Sequence, residues 1–233
     1  MAELFIELFS EEIPSKLQID ARQKIKQKLD ETLIGNEISF KSSKAFSTPK
    51  RLVFFLDGIS EKIEQKKKII KGPKIDAPEI ALEGFIKSHN LNKTDIYKQR
   101  VEKKEFYFAE IKPKSIDVLK ELQRIIPDIL QGYSWRKSMR WSNYDLNWGR
   151  PLRSIVALFN NKIIDFDFFH LKSGNITSID GIKEDKAVKI NNFKSYLSTL
   201  KNQNIILDHE TRKNVIVKKI NNICNSRSLK SNL

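Results

Sequence analysis

Trp135-Arg136-Lys137-Ser138-Met139-Arg140-Trp141 sets two indoles around three cations, and Gly149-Arg150-Pro151-Leu152-Arg153 adds two guanidinium groups a few positions on. Arginine stacks on flat rings and forks onto phosphates, and tryptophan offers a large flat face. Aromatics interleaved with cations suit a polyanion whose units are themselves flat, which means nucleic acid. Further cations join the candidate RNA contacts: Lys50 and Arg51 in one turn, and Lys66, Lys67, Lys68 and Lys71 ahead of Gly72-Pro73. The set of RNA-contact candidates is thus Lys50, Arg51, Lys66, Lys67, Lys68, Lys71, Trp135, Arg136, Lys137, Arg140, Arg150 and Arg153. A second reading fits the same tryptophans. Trp135 and Trp141 serve equally as core residues beside a solvated basic loop, and the sequence leaves both readings open.

The residues that could carry catalysis are sparse. Asp165 and Asp167 stand two apart on an expected strand, so their carboxylates share a face, as a Mg²⁺ pair in nucleotidyl transfer would. No glycine-rich phosphate loop precedes them, and the alternating Phe166 and Phe168 describe an ordinary half-exposed strand. His89, His170 and His209 are scattered without metal-ligand spacing and read as caps or surface residues. Glu11-Glu12 precede a helix, where negative charge complements the dipole. There is no nucleophile elbow, Walker motif or dinucleotide fingerprint. The residues therefore propose no catalytic set and no metal site.

The chain has 233 residues, enough to bury a real core in one large or two small units. Its 43 Lys+Arg against 29 Asp+Glu give a net charge of +14, which favours an anionic partner. Lysine is abundant together with Ile and Asn, as an AT-rich genome would dictate, so clustered arginine says more than total charge. A single cysteine, Cys224, excludes an internal disulfide and fits a reducing cytosol. The first residues are acidic where a signal peptide would be basic, and no apolar run approaches membrane-spanning length, so the expected location is cytoplasmic.

Periodicity supplies the elements. Leu4–Phe9 reads as a strand. Ser15 and Gln18 have capping-box spacing, ahead of a helix whose Leu17, Ala21, Ile25, Leu29 and Leu33 fall on one face and whose end Gly35 can close in the left-handed conformation. Two strands follow, 38–47 and 52–59, joined through Thr48-Pro49-Lys50-Arg51. Lysines then crowd 61–74 like a basic linker. Asp76 with Glu79 is expected to cap a helix reaching His89, 98–112 reads as a hairpin turning near Lys103-Lys104, and a helix around Leu119–Leu130 is expected to kink or restart at Pro127. Strands 154–159 and 162–170 turn through Asn160-Asn161. From Asn191 the period is helical, with Asp208 as a cap before Ile216, Ile220 and Ile223. The fold class is α+β, a mixed or antiparallel sheet with packed helices in two subdomains. The expected division is a β-rich unit from 1–60 plus 150–172, a basic linker and inserted α+β unit over 61–149, and a helical segment over 173–233 that reads as cut from something longer.

Several strings in order resemble one family. They are Glu7-Leu8-Phe9-Ser10-Glu11-Glu12-Ile13-Pro14, Ser47-Thr48-Pro49-Lys50-Arg51-Leu52, Lys71-Gly72-Pro73, Ala81-Leu82-Glu83-Gly84-Phe85, the Trp135–Trp141 string, Arg150-Pro151-Leu152-Arg153 and Ser173-Gly174-Asn175-Ile176-Thr177. Their order and spacing resemble the N-terminal part of the beta subunit of bacterial glycyl-tRNA synthetase, from residue 1 to about 177 and more loosely beyond Asn191. The resemblance implies an α2β2 heterotetramer in which the alpha subunit holds ATP and glycine and the beta subunit binds glycine tRNA, with no cofactor on this chain. It also implies a fold similar to the body and tail of archaeal CCA-adding enzymes. One departure stands out: where the family continues with a Gly-His-Arg-Phe string, this chain has Ser178-Ile179-Asp180-Gly181, so no role of that histidine and arginine carries over. Three rivals remain from the residues themselves: a free-standing RNA-binding module, a metal-dependent nucleotidyltransferase using Asp165 and Asp167, and a purely structural scaffold.

Overall fold

The computed structural model describes residues 2–64, 68–89, 91–101, 104–111, 115–179 and 186–229. In chain order the elements are β1 (Ala2–Ser10), α1 (Ser15–Gly35), β2 (Ser42–Thr48), β3 (Arg51–Ile59), β4 (Lys62–Glu64), β5 (Lys68–Lys74), α2 (Glu79–Ser88), a 3₁₀ turn (Lys93–Asp95), β6 (Ile96–Val101), β7 (Lys104–Ile111), β8 (Ser115–Asp117) and α3 (Val118–Gln131). There follow β9 (Leu152–Phe159), β10 (Lys162–Ile163), β11 (Asp167–Phe168), β12 (Leu171–Gly174), β13 (Ile176–Ile179), β14 (Lys186–Lys189), α4 (Phe193–Asn202) and α5 (His209–Ser226). They form two units, Met1–Glu61 with Asp117–Leu233, and Lys62–Ile116. The first unit is larger than expected: α3 and the Trp loop belong to it and not to the insertion. The segment from 173 is not purely helical either, since β12, β13 and β14 precede α4.

The larger unit is organised by β1. Nearly every side chain of Ala2–Ser10 is buried, which only a central strand covered on both faces achieves. It lies antiparallel between β3 and β9, and the sheet order is β11-β12-β9-β1-β3-β2 with β10 also on β9. β12 runs parallel to β9, so the sheet is mixed. α1 buries Ala21, Ile25, Leu29 and Leu33 and packs on β2, β3 and α3. On the face that carries Phe5, residues Val53, Val156 and Leu158 meet Ile179, Ile190, Tyr196 and Leu200, so β13 and α4 roof that side.

Several local expectations give way to other interactions. Ser15 forms no cap; Pro14 holds the N-cap position, and Gln18 turns inward to donate to the Ile13 carbonyl at 2.6 Å. Gly35 stays helical, and Glu37 takes the left-handed conformation instead (φ 61°). Asp76 caps nothing, because Pro78 precedes the helix and its fixed φ starts the first turn. α3 continues through Pro127, since the side that buries Val118, Leu122, Ile125, Ile126, Ile129 and Leu130 offsets the missing backbone hydrogen bond. The strand expected over 162–170 is split into β10 and β11, while Asn160 and Asn161, both at positive φ, make the expected tight turn. Ile216 and Ile223 of α5 are exposed.

The interior also holds a charge pair. Glu7 is fully buried, and the Arg51 side chain is only 2% exposed. Arg51 Nε lies 3.3 Å from Glu7 Oε1, and Thr177 donates its hydroxyl to the same oxygen at 2.7 Å. Arg51 Nη2 donates to the Ser178 carbonyl, and its guanidinium lies 4.7 Å above the Phe9 ring. Burial pushes the Glu7 carboxyl up from 4.5 to about 7, against the opposing pull of Arg51 and Thr177. Removing one member of a buried pair leaves the other uncompensated, so Arg51→Ala should destabilise the fold by about 3–5 kcal/mol, read as a lower urea midpoint. Glu7 binds its proton more tightly folded than unfolded, so its contribution to stability falls as pH rises from 4.5 to about 7. Melting curves across that window should lose this component of their slope in Glu7→Gln; an unchanged slope would show that Glu7 does not titrate there.

Candidate nucleic-acid interface

The loop after α3 is built around its tryptophans. Met139 and Trp148 exchange two backbone hydrogen bonds, Met139 N to Trp148 O at 2.8 Å and Trp148 N to Met139 O at 3.2 Å, and so close a loop between them. Behind this clasp the rings stack edge to face: Tyr133 on Trp135 with centroids 5.1 Å apart, Trp135 on Trp148 at 5.1 Å, and Trp148 on Phe168 at 5.9 Å. Trp135 is 8% exposed and Trp148 1%, so both belong to the core. Of the two readings open for Trp135, the structure thus favours the core one and corrects its place among the RNA contacts, because the ring is buried against Tyr133, Trp148 and Gly149. Gly149 permits this approach, since a Cβ there would stand 2.5 Å from the Trp135 ring. Tyr133 donates to Asp20 at 2.9 Å, and burial together with that carboxylate holds the phenol protonated. Farther along, Tyr144 stacks on His170 at 3.6 Å and Trp141 meets the same imidazole edge-on. His170 thus packs under the loop.

The cations of the loop point the other way. Arg136 and Lys137 are exposed. Arg136 lies close enough to Asp20 to help hold its carboxyl below the usual range, behind the stronger effect of a hydrogen bond from Lys24. Arg140 is exposed but braces its own loop, donating to Asp145 at 2.7 Å and to the Tyr144 carbonyl at 3.4 Å. Beside the loop is an open cleft of about 410 Å³ lined by Gln131, Tyr133, Ser134, Asp145 and Asn147 among others.

A second group of candidates gathers where β1 ends. Ser10 N donates to Lys50 O at 2.8 Å, Ile13 N to Pro49 O at 2.7 Å and Glu11 N to Pro151 O at 2.9 Å. Three of the strings singled out in the sequence therefore hold one another through backbone bonds, and Thr177 of a fourth reaches Glu7. Around this junction Lys50 and Arg150 are half-buried, Arg150 donating to Gly149 O at 2.9 Å. Arg153 is exposed, meets Glu11 at 3.4 Å and lies 5.7 Å from the Phe9 ring. Arg51 is the clear correction: it faces inward against Glu7 and is closed to any polyanion. Nothing in its spacing signals this, but Glu7 within a wholly apolar run does, because a central strand has no wet face for a carboxylate.

The remaining candidates lie in the other unit. Lys68 and Lys71 are in β5, while Lys66 and Lys67 fall outside the described residues, as do Asp180 and Gly181 of the departing string. Asp165 is exposed and pairs with Lys172 at 3.2 Å, and Asp167 is exposed in β11. Among the described residues, no three His, Cys, Asp or Glu side chains come together as metal ligands, and no helix is long and apolar enough to cross a membrane.

A family model described as glycyl-tRNA synthetase beta subunit matches residues 4–233. The chain belongs to that family. The glycine–tRNA ligase beta subunits of Rickettsia typhi and Rickettsia prowazekii are 36% and 35% identical to it over 229 residues, and that of Rickettsia bellii is 33% identical over the same length. Each alignment covers 98% of this chain but only 34%, 34% and 35% of the relative, so the chain spans about a third of the length of the curated relatives it matches. The strings that carry the resemblance are, in this light, largely packing devices: the β1 junction, the Thr177 bond to Glu7 and the buried Trp135, which sits against Gly149. Gly149→Ala should therefore displace Trp135 and destabilise the fold by about 1–3 kcal/mol, as overpacked sites do, with a matching change in the near-ultraviolet spectrum of the tryptophans.

Proposed function

We propose that this chain is the tRNA-facing part of a glycine–tRNA ligase beta subunit, which holds glycine tRNA while a partner alpha subunit joins glycine to it at the expense of ATP. The observation that carries the reading is the division of labour in the loop after α3: buried tryptophans anchor it and the cations Arg136 and Lys137 stand outside. Anchoring removes the entropy that a flexible basic loop would lose on binding, and exposed cations at fixed positions suit phosphates. Family membership supports glycine tRNA as the RNA and an alpha subunit as the partner, and an α2β2 assembly in the cytoplasm completes the proposal. A fold like the RNA-holding body and tail of CCA-adding enzymes is part of the same proposal. No observation favours the nucleotidyltransferase alternative: Asp165 and Asp167 are exposed, and Asp165 makes a surface ion pair with Lys172.

The test is tRNA affinity against salt. Arg136→Ala with Lys137→Ala should weaken glycine tRNA binding by roughly tenfold or more, leave the melting temperature unchanged, and reduce the steepness of the log-affinity against log-salt plot by about 0.7–0.9 per lost contact. Unchanged affinity with failed assembly onto the alpha subunit would reassign the loop to subunit docking and overturn the reading.

A further inference from the structure

In the unit Lys62–Ile116, β5, β7 and β6 form a three-stranded antiparallel sheet with β7 in the centre. Its register sets Lys71 and Tyr97 opposite Phe108, and Lys74 and Gln99 opposite Phe106. Opposed residues share a face, and so do alternate residues along a strand. Tyr97, Phe106, Phe108 and Lys71 therefore stand together on one face. The side chains agree: the Tyr97 and Phe108 rings lie 6.1 Å apart and 24° from parallel, and Lys71 Nζ sits 3.6 Å from the Phe106 centroid.

The other face has its own cover. A Cβ on Gly72, the residue after Lys71, would meet the Phe85 ring at 2.8 Å, so α2 packs on the side opposite Lys71. Ala109, between Phe108 and Glu110, is fully buried there. The aromatic face keeps its rings half-exposed, with Tyr97 38% accessible. A patch of this kind marks an interaction surface.

Charge decides the occupant. This unit carries 14 Lys+Arg against 8 Asp+Glu, a surplus of six. On the aromatic face Lys71 sits over a ring in the middle of the patch, and Lys104 is exposed at its β6–β7 end, while Glu110 stands toward β5 opposite Ile69. Protein interfaces exclude lysine from their centres, whereas single-stranded nucleic acid needs rings for its bases and cations among them for its phosphates. We propose that this face is a stacking platform for unpaired nucleotides of RNA, with Tyr97 and Phe108 receiving bases and Lys71 and Lys104 meeting the backbone. The platform deepens the tRNA reading above and rests on it for the identity of the natural RNA. Stacking gives it tolerance of sequence, because every base offers a flat face.

The test uses the complete 233-residue chain and a labelled short oligouridylate, which has no secondary structure, with fluorescence anisotropy as the readout. Tyr97→Leu and Phe108→Leu keep apolar volume and remove the flat ring. Each should weaken oligouridylate binding by about 5- to 150-fold with the melting temperature held, and Lys71→Gln should weaken it and flatten its salt dependence. Equal binding by both leucine variants, or no binding by the folded parent chain, would overturn the proposal. So would leucine variants that bind RNA normally but fail to assemble with an alpha subunit, which would make the face a protein-docking surface. Failure here leaves the tRNA reading standing on Arg136 and Lys137, and failure of those cations leaves oligouridylate binding intact, so the two are separable.

Discussion

The larger unit depends on a charge pair in the wrong place for a charge pair. Glu7 and Arg51 lie on neighbouring strands at the centre of the sheet, on the face roofed by β13 and α4. Two ions removed from water are tolerated only when each finds the other and enough further partners. Thr177 and the Ser178 carbonyl supply those partners from β13, and the Phe9 ring lies beneath the guanidinium. The Tyr196 hydroxyl is buried beside the same group, and its burial, together with the Glu7 charge, keeps it protonated. One carboxylate thereby ties β1, β3 and β13, elements far apart in sequence. A hydrophobic core would accept several registers of β13 on this sheet; an acceptor that must meet Thr177 accepts far fewer.

That constraint explains what was legible in the residues and what was not. The apolar run of Leu4–Phe9 and the stripe Ala21, Ile25, Leu29 and Leu33 announce their burial because a local period records which side faces the core. The antiparallel pairing of β6 with β7 and the Asn160-Asn161 turn are equally local. Arg51 was misread because a cation beside Pro49 and Lys50 looks like any exposed turn, and only a distant carboxylate turns it inward. Trp135 was ambiguous for the same reason. Its burial depends on Tyr133 and Trp148, and on the missing side chain of Gly149, none of which follows from the basic string around it. Helix starts differ where Pro14 and Pro78 hold the N-cap positions expected of Ser15 and Asp76.

The strings that identify the family do two jobs. Glu7, Arg51, Thr177 and Trp135 hold the larger unit together, while Arg136, Lys137 and Lys71 of the same strings stand on the surface and are among the residues proposed to touch RNA. Arg136 and Lys137 depend on the tryptophan clasp, and Tyr97 and Phe108 on a sheet whose other face is closed by Phe85 over Gly72. Rigid display suits the RNA-binding role proposed above, since an RNA handed to a reacting site must be held in one place.

The most direct measurement of that account is photo-crosslinking of glycine tRNA to the chain mixed with the proposed partner, a glycine–tRNA ligase alpha subunit, followed by mass spectrometry of the crosslinked peptides. The account predicts adducts on the peptides that contain Arg136-Lys137 and on those that contain Tyr97 and Phe108. Recovery of both groups of peptides unmodified, with adducts confined to other parts of the assembly, would contradict it.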